Sequence, residues 1–248
     1  MTATVITAMY GDHDYPPKAP VYQDIPTRWV YYTDSSEEAD APWETIRREP
    51  RFDSPNLSAK LYKLTPPLFG DVVWIDANME ITSPSFVREA LASRHDGIAV
   101  WQHPRRHCIY DEADATMGAE RQGDKYDGLD IAKQIASYRA EGYPPNAGLY
   151  ACGTIAWDLE NGLARSLGNE WMQECIRWSP QDQLSLPVAC RRLGIMPGLF
   201  PYPQIARRPR RQPWPGYIEN AWLRIHDHRG GDRERDRAVR AVPRRHRP

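Results

Sequence analysis

The run Val72–Glu80, VVWIDANME, sets two oxygen-bearing side chains, Asp76 and Asn78, just past an apolar segment of strand length. Side chains alternate along a strand, so residues two apart share a face. An Asp and an Asn placed this way can hold a hard divalent cation such as Mg2+ or Mn2+. Such a cation can neutralise a diphosphate and stabilise it as a leaving group. The plain alternative is an Asx turn that closes the strand. Three further groups of residues could do chemistry. Lys60 and Lys63 lie three apart on one face of an expected helix, as phosphate partners or as solvated surface lysines. In His103-Pro104-Arg105-Arg106-His107, Arg106 could fork onto a phosphate or an acidic acceptor. Glu112, in the helix expected to follow, could be a general base or accept from a hydroxyl, and an exposed basic loop is the bland reading of that stretch. In Trp178–Gln183, WSPQDQ, Ser179-Pro180 is a good helix start, and Asp182 suits the positive helix end whether as cap or as catalytic carboxylate.

The elements that must position these residues alternate between strand and helix. Apolar or β-branched runs predict strands over Thr4–Met9, Arg28–Tyr32, Asp71–Ile75, Gly97–Trp101 and Leu149–Trp157. Helices are expected over Ser58–Leu64, Ser85–Arg94, Asp130–Gly142, Gly168–Arg177 and Asp182–Leu193, and Glu37–Arg48 reads as weakly helical. Ser58 is the expected N-cap of the first, and Gln134 is expected at a core edge. This order predicts an α/β fold, a single α/β/α sandwich with a mostly parallel central sheet. The strands are apolar on both faces, as a sheet covered on both sides requires. Ligands in such sheets gather beyond the carboxyl ends of the strands. Tyr10-Gly11-Asp12, Thr33-Asp34 and Asp76-Ala77-Asn78 are the segments at those ends.

Composition bounds the rest. The 248 residues suit one large domain, and nine Trp and 13 Tyr are too many for a wholly disordered chain. No stretch approaches the ~18 apolar residues of a membrane helix. Met1–Met9 lacks a basic start, so a secretory signal is not expected and a cytoplasmic location is. The four cysteines form no C-x-x-C pair and are expected as reduced core thiols. The formal net charge of -1 hides an asymmetry: residues 229–248 carry eight Arg against three acids, a net +5, which leaves about -6 on the rest. The expected organisation is therefore a domain over 1–228 and a disordered Arg-rich tail over 229–248.

An ordered series of blocks resembles the TOD1/MUCI70 glycosyltransferase-like domain family. It runs through Val5-Ile6-Thr7-Ala8, Tyr10-Gly11, Asp14, Ser58-Ala59-Lys60, Tyr62-Lys63-Leu64, Trp74-Ile75-Asp76 with Asn78, and Glu80-Ile81. It continues through His103, Arg105-Arg106, Glu112-Ala113, Lys125-Tyr126-Asp127, Gln134-Ile135, Tyr138-Arg139, Glu141-Gly142, Trp178-Ser179, Asp182-Gln183 and Ser185. The resemblance implies a GT-A-like nucleotide-diphospho-sugar transferase fold, a nucleotide-sugar donor and transfer of a hexose-like group. It puts Asp76 and Asn78 where such enzymes carry a D-x-D metal motif, with an amide as the second ligand. It implies His226 as a further metal ligand, and Tyr10 and Asp12 beside the donor's base or ribose. Lys60, Lys63, Arg106 and Gln183 join Asp76 as donor-binding residues, with Asp182 and Glu112 as the catalytic pair. In that role Asp182 would bind donor hydroxyls, stabilise positive charge in the transition state, or act as base.

The function expected on these grounds is a glycosyltransferase assisted by a divalent metal. Its acceptor is an unknown glycan, protein or nucleic acid, and its oligomeric state is open. Two alternatives stand beside it. One is a non-catalytic nucleic-acid-associated protein gripping phosphates through Arg207, Arg208, Arg210, Arg211 and the Arg-rich tail. The other is a sugar nucleotidyltransferase on a similar sandwich. No nucleophile elbow, P-loop or H-E-x-x-H occurs, which removes the corresponding hydrolase, NTPase and zincin classes.

Overall fold

The computed structural model describes residues 2–11, 14–118, 128–204 and 217–226. Asp12, the Arg207–Arg211 cluster and the tail from 229 lie outside them. The strands are β1 (Ala3–Met9), β2 (Thr27–Thr33), β3 (Glu44–Arg47), β4 (Asp71–Ile75), β5 (Met79–Ile81), β6 (Ile98–Gln102), β7 (Tyr150–Asp158), β8 (Gly198–Leu199), β9 (Tyr217–Glu219) and β10 (Leu223–His226). The helices are α1 (Pro55–Leu64), α2 (Phe86–Ala92), α3 (Ile109–Met117), α4 (Ile131–Ala140), α5 (Gly162–Arg177) and α6 (Asp182–Leu193). Seven strands form one sheet in the order β3-β2-β1-β4-β7-β6-β8. Its β3-β2-β1-β4 half is parallel throughout, β7 runs antiparallel to both β4 and β6, and β8 is parallel to β6. This is the mixed α/β, mostly parallel architecture expected of a GT-A-like fold. A smaller antiparallel sheet, β5-β10-β9, lies beside it.

The period of two along each strand divides the core. Ile6, Ala8, Val72, Trp74, Ile155 and Trp157 face one way and pack with Leu64 of α1, Leu167 and Trp171 of α5, and Leu186 and Ala189 of α6. The alternate residues Val5, Met9, Val73, Ile75 and Ala156 face the other way, against Phe86, Val87 and Ala90 of α2, Ile81 of β5 and Leu223 of β10. Both faces are therefore covered, and full burial of each large apolar side chain contributes about 1.5–3 kcal/mol. A satellite core joins α3, α4 and α6 through Ile109, Ala113, Ile135, Tyr138 and Leu184. All four cysteines are buried and free. No helix among the described residues is long and apolar enough to cross a membrane.

Local readings differ from the sequence expectation in three places. The segment expected as a weak helix over Glu37–Arg48 ends in β3, an edge strand with exposed Glu44 and Arg47 at its ends. Pairing with β2 decides the conformation where local composition is indifferent. The first helix is capped by Ser54, whose side chain accepts from Leu57 N, with Pro55 in its first turn. Ser58 sits inside that helix, and its Oγ bonds the backbone of Phe52. Helix α5 starts at Gly162 and runs through Gly168 instead of starting there.

Candidate active site

Helix α1 presents Asn56, Lys60 and Lys63 at spacings of four and three, which places them on one face. Its apolar face, with Tyr62 and Leu64, is fixed in the core, so this polar stripe has one direction to point. It faces a cleft of about 190 Å3 that is closed by Asp76 past the end of β4, Cys152 and Gly153 of β7, and Pro180–Gln183 at the start of α6. The cleft lies beyond the carboxyl end of β4, where the sheet was expected to gather ligands.

Its electrostatics are those of a four-charge cluster. Lys60 Nζ hydrogen-bonds Asp182 Oδ2. Lys63 Nζ reaches the same oxygen at 2.8 Å and Asp76 Oδ1 at 3.2 Å. Trp74 Nε1 donates to Asp76 Oδ1 at 2.9 Å, and Trp171 Nε1 donates to the Asp182 carbonyl at 3.0 Å. Burial would raise the Asp182 carboxyl, but Lys60 and Lys63 together outweigh it and hold that carboxyl well below the usual range. Burial would lower Lys63, but Asp182 and Asp76 outweigh it and raise its ammonium. For Lys60 burial wins over the attraction of Asp182, and its ammonium is lowered. Burial raises the Cys152 thiol, with Asp182 adding to the effect, so no reactive thiolate lines the cleft. Two positive and two negative groups balance, which is the condition under which buried charge is tolerated.

The other expected site residues fall in three places. Gln183 lines the cleft, and its Oε1 is buried with no hydrogen-bond partner among the described residues. Tyr10 is fully buried and stacks on Tyr62 with ring centroids 6.0 Å apart, while Asp34 accepts from Gly11 N at 3.1 Å and closes that turn. Glu112 is completely buried, accepting from Arg106 Nε at 2.5 Å and from Gln181 Nε2 at 3.1 Å. Partly exposed Arg106 and buried Glu112 therefore form an ion pair behind the cleft, joined to it by Gln181.

Asn78 and His226 are tied to each other where β5 meets β10. Asn78 Nδ2 donates to the His226 carbonyl at 2.8 Å, and His226 N returns a 2.8 Å bond to the Asn78 carbonyl. The His226 ring meets Glu80 Oε2 at 2.7 Å. Of the three expected metal ligands, only Asp76 lines the cleft. Among the described residues no three His, Cys, Asp or Glu side chains are grouped to hold a metal ion. The positive charge lining the cleft is the lysine pair. The Asp76 side chain does not form the Asx turn either, since a main-chain bond from Met79 N to Asp76 O closes that turn.

With this geometry in view, the match to known families is specific in its extent. Residues 48–150 match the TOD1/MUCI70, glycosyltransferase-like domain. No curated protein matches the chain. The TOD1/MUCI70 match includes Lys60, Lys63, Asp76, Asn78, Arg106 and Glu112, and it ends before Asp182, Gln183 and His226. Four of the ten lining residues thus fall inside the matched segment, and six come from β7 and the start of α6.

Asn56, Gln181 and Gly153 line the cleft without having been singled out. Gly153 had a legible signal, since a glycine inside an apolar strand marks a close approach. A β-carbon there would lie 2.3 Å from Met79 Cε, 3.2 Å from Gln204 Nε2 and 3.3 Å from Asp76 Oδ2.

Proposed function

We propose that the chain is a glycosyltransferase that moves a sugar from a nucleotide-sugar donor to an acceptor hydroxyl. The observation that carries this reading is the gathering of Lys60, Lys63, Asp76 and Asp182 in one cleft beyond β4. A donor diphosphate needs compensating positive charge, and two ammonium groups on one helix face supply it. Phosphate oxygens would compete with Asp182 for the lysines, and the released carboxylate could then accept from sugar hydroxyls or stabilise positive charge at the anomeric carbon. In the overall step the acceptor oxygen bonds the anomeric carbon, the bond from that carbon to the phosphate oxygen breaks, the nucleoside diphosphate leaves with the electron pair, and one proton is released.

A divalent cation is not required by this reading, and a single titration separates the two sources of charge. Thermal unfolding is followed with UDP, GDP, ADP and CDP, each with Mn2+ and with EDTA. A ligand at 100 times its Kd stabilises by about 2.7 kcal/mol. A nucleotide-dependent rise in Tm that persists in EDTA and disappears in Lys60→Met is expected. No shift with any nucleotide under either condition would refute the proposal.

A further inference from the structure

A second cleft, of about 340 Å3, opens past the end of β6 and is lined by Trp101, Gln102, His103, His107, Phe200 and Tyr202, with prolines between them. Its volume is within the roughly 300–1,000 Å3 usual for small-molecule sites. We infer that this cleft binds a neutral saccharide and is the acceptor site of the transferase; the acceptor role rests on the glycosyltransferase reading, the saccharide chemistry on the cleft alone.

The lining selects the ligand class. Among the described residues the lining contains no Lys, Arg, Asp or Glu, which favours a neutral ligand over a charged one. Aromatic faces and prolines match the apolar C–H faces of a pyranose ring, and amide and imidazole groups match its hydroxyls. Tyr202 is 38% exposed and stands edge-on to Trp222 at 5.3 Å, so its ring is held by the core while remaining open to a ligand. Trp101 is 1% exposed, and its indole Nε1 is buried with no partner among the described residues.

The cleft is also in the right place. Trp101 lies opposite Ala151 in β7, and Gly153 of the charged cleft is two residues further along that strand, about 7 Å at the usual strand rise. Past Tyr202 and Pro203 the chain brings Gln204 against Gly153. A buried relay joins the two walls as well. Two backbone amides, those of Arg105 and Arg106, donate to His103 Nδ1, its Nε2 lies 3.7 Å from Glu112 Oε2, and Glu112 Oε1 takes the 3.1 Å bond from Gln181 of the charged cleft. Two substrates that must react have to meet at about 3–3.5 Å, and clefts this near each other along β7 allow that.

The test uses the full chain and a panel of neutral probes: maltohexaose, cellohexaose, mannohexaose and xylohexaose, with heparin and poly(U) as anionic controls. Saturation-transfer NMR is run on the wild type, Tyr202→Ala and Tyr202→Phe. At least one neutral oligosaccharide is expected to bind. Its affinity should fall about tenfold in Tyr202→Ala, equivalent to about 1.4 kcal/mol, and return in Tyr202→Phe, which restores the ring. The thermal shift with nucleoside diphosphates reports whether the variant is folded with an intact donor cleft. Neutral probes that fail to bind a protein that does bind nucleotides would overturn the inference. So would unchanged affinity in Tyr202→Ala, or anionic probes that bind through Tyr202 in place of neutral ones. Saccharide binding through Tyr202 without any nucleotide shift would sink the transferase reading and the acceptor role while leaving a saccharide site.

Discussion

Lys63 Nζ lies 2.8 Å from Oδ2 of Asp182, a contact that ties the helix before β4 to the first turn of α6. Both side chains are almost fully enclosed, at 4% and 7% exposure, while Asp76, the second partner of Lys63, is 39% exposed. The Lys63–Asp182 pair is therefore buried and weakly screened, as is Lys60–Asp182, and the Asp76 contact is discounted for solvent. A ligand entering the cleft meets charges that are already paired, so binding exchanges one ion pair for another.

Removing Lys63 leaves Asp182 with Lys60 alone and takes the ammonium partner from Asp76 as well. Lys63→Met should cost about 3 kcal/mol of unfolding free energy, at the lower end of the range for broken buried pairs. Lys60→Met should cost less, because Asp182 retains Lys63. Urea denaturation of both variants measures the difference, and equal, sub-kilocalorie losses would show that the cluster is solvated.

Acid stability should depend on Asp182. Its carboxyl is held low in the fold by Lys60 and Lys63 against the opposing effect of burial. A depressed carboxylate contributes its full stability above its unfolded value of about 3.9 and loses it as pH falls toward the folded value. The Tm of the wild type should thus drop steeply below about pH 4. Asp182→Asn should be less stable at pH 7, and the gap to wild type should narrow progressively as pH falls below about 4. A gap independent of pH would place the effect in packing.

Gly168→Ala probes how α1 is held. A β-carbon at Gly168 would lie 2.2 Å from the Leu64 carbonyl oxygen, a backbone atom that cannot rotate away. Despite alanine's better helix propensity, the substitution should destabilise by about 2 kcal/mol through overpacking. Because α1 carries Lys60 and Lys63, nucleotide binding should weaken along with the Tm. An increase in stability would mean that the helices separate freely.

Gly153→Ala probes the cleft itself. The closest atom to the new methyl group is the flexible tip of Met79, which can move, followed by Gln204 Nε2 at 3.2 Å and Asp76 Oδ2 at 3.3 Å. The cost in stability should stay near 1 kcal/mol, while nucleotide affinity should fall about tenfold as the methyl group crowds Asp76. Calorimetric titration checks the affinity, and unchanged binding would remove the β7 wall from the donor site.

The covered sheet was legible because its strands are long enough to show their pattern. Asp71–Ile75 and Asp182–Leu193 were read with their observed bounds, and β1, β2, β6 and β7 were placed within one or two residues. The strands β5, β8 and β9 have three, two and three residues, too few for a period to appear. Gly168 was misread as a helix start because its reason lies in Leu64, on another helix. At the site, strand-end position identified Asp76, and helical spacing identified Lys60 and Lys63. The fate of Asn78 and His226 was not legible, since their mutual backbone bonds form only when β5 and β10 pair.

The sequence by itself determined an apolar, alternating set of strands and helices, the carboxylate at the end of β4 and the lysine pair on one helix face. These follow from local spacing, because periods of 2 and 3.6 act over a few residues. Only the tertiary structure decided that Lys63 would neutralise Asp182, that Asn78 would hold the backbone of His226, and that Glu112 would be buried behind Gln181. Those partners lie far apart in the chain, and the burial that brought them together also fixed which charges had to be paired.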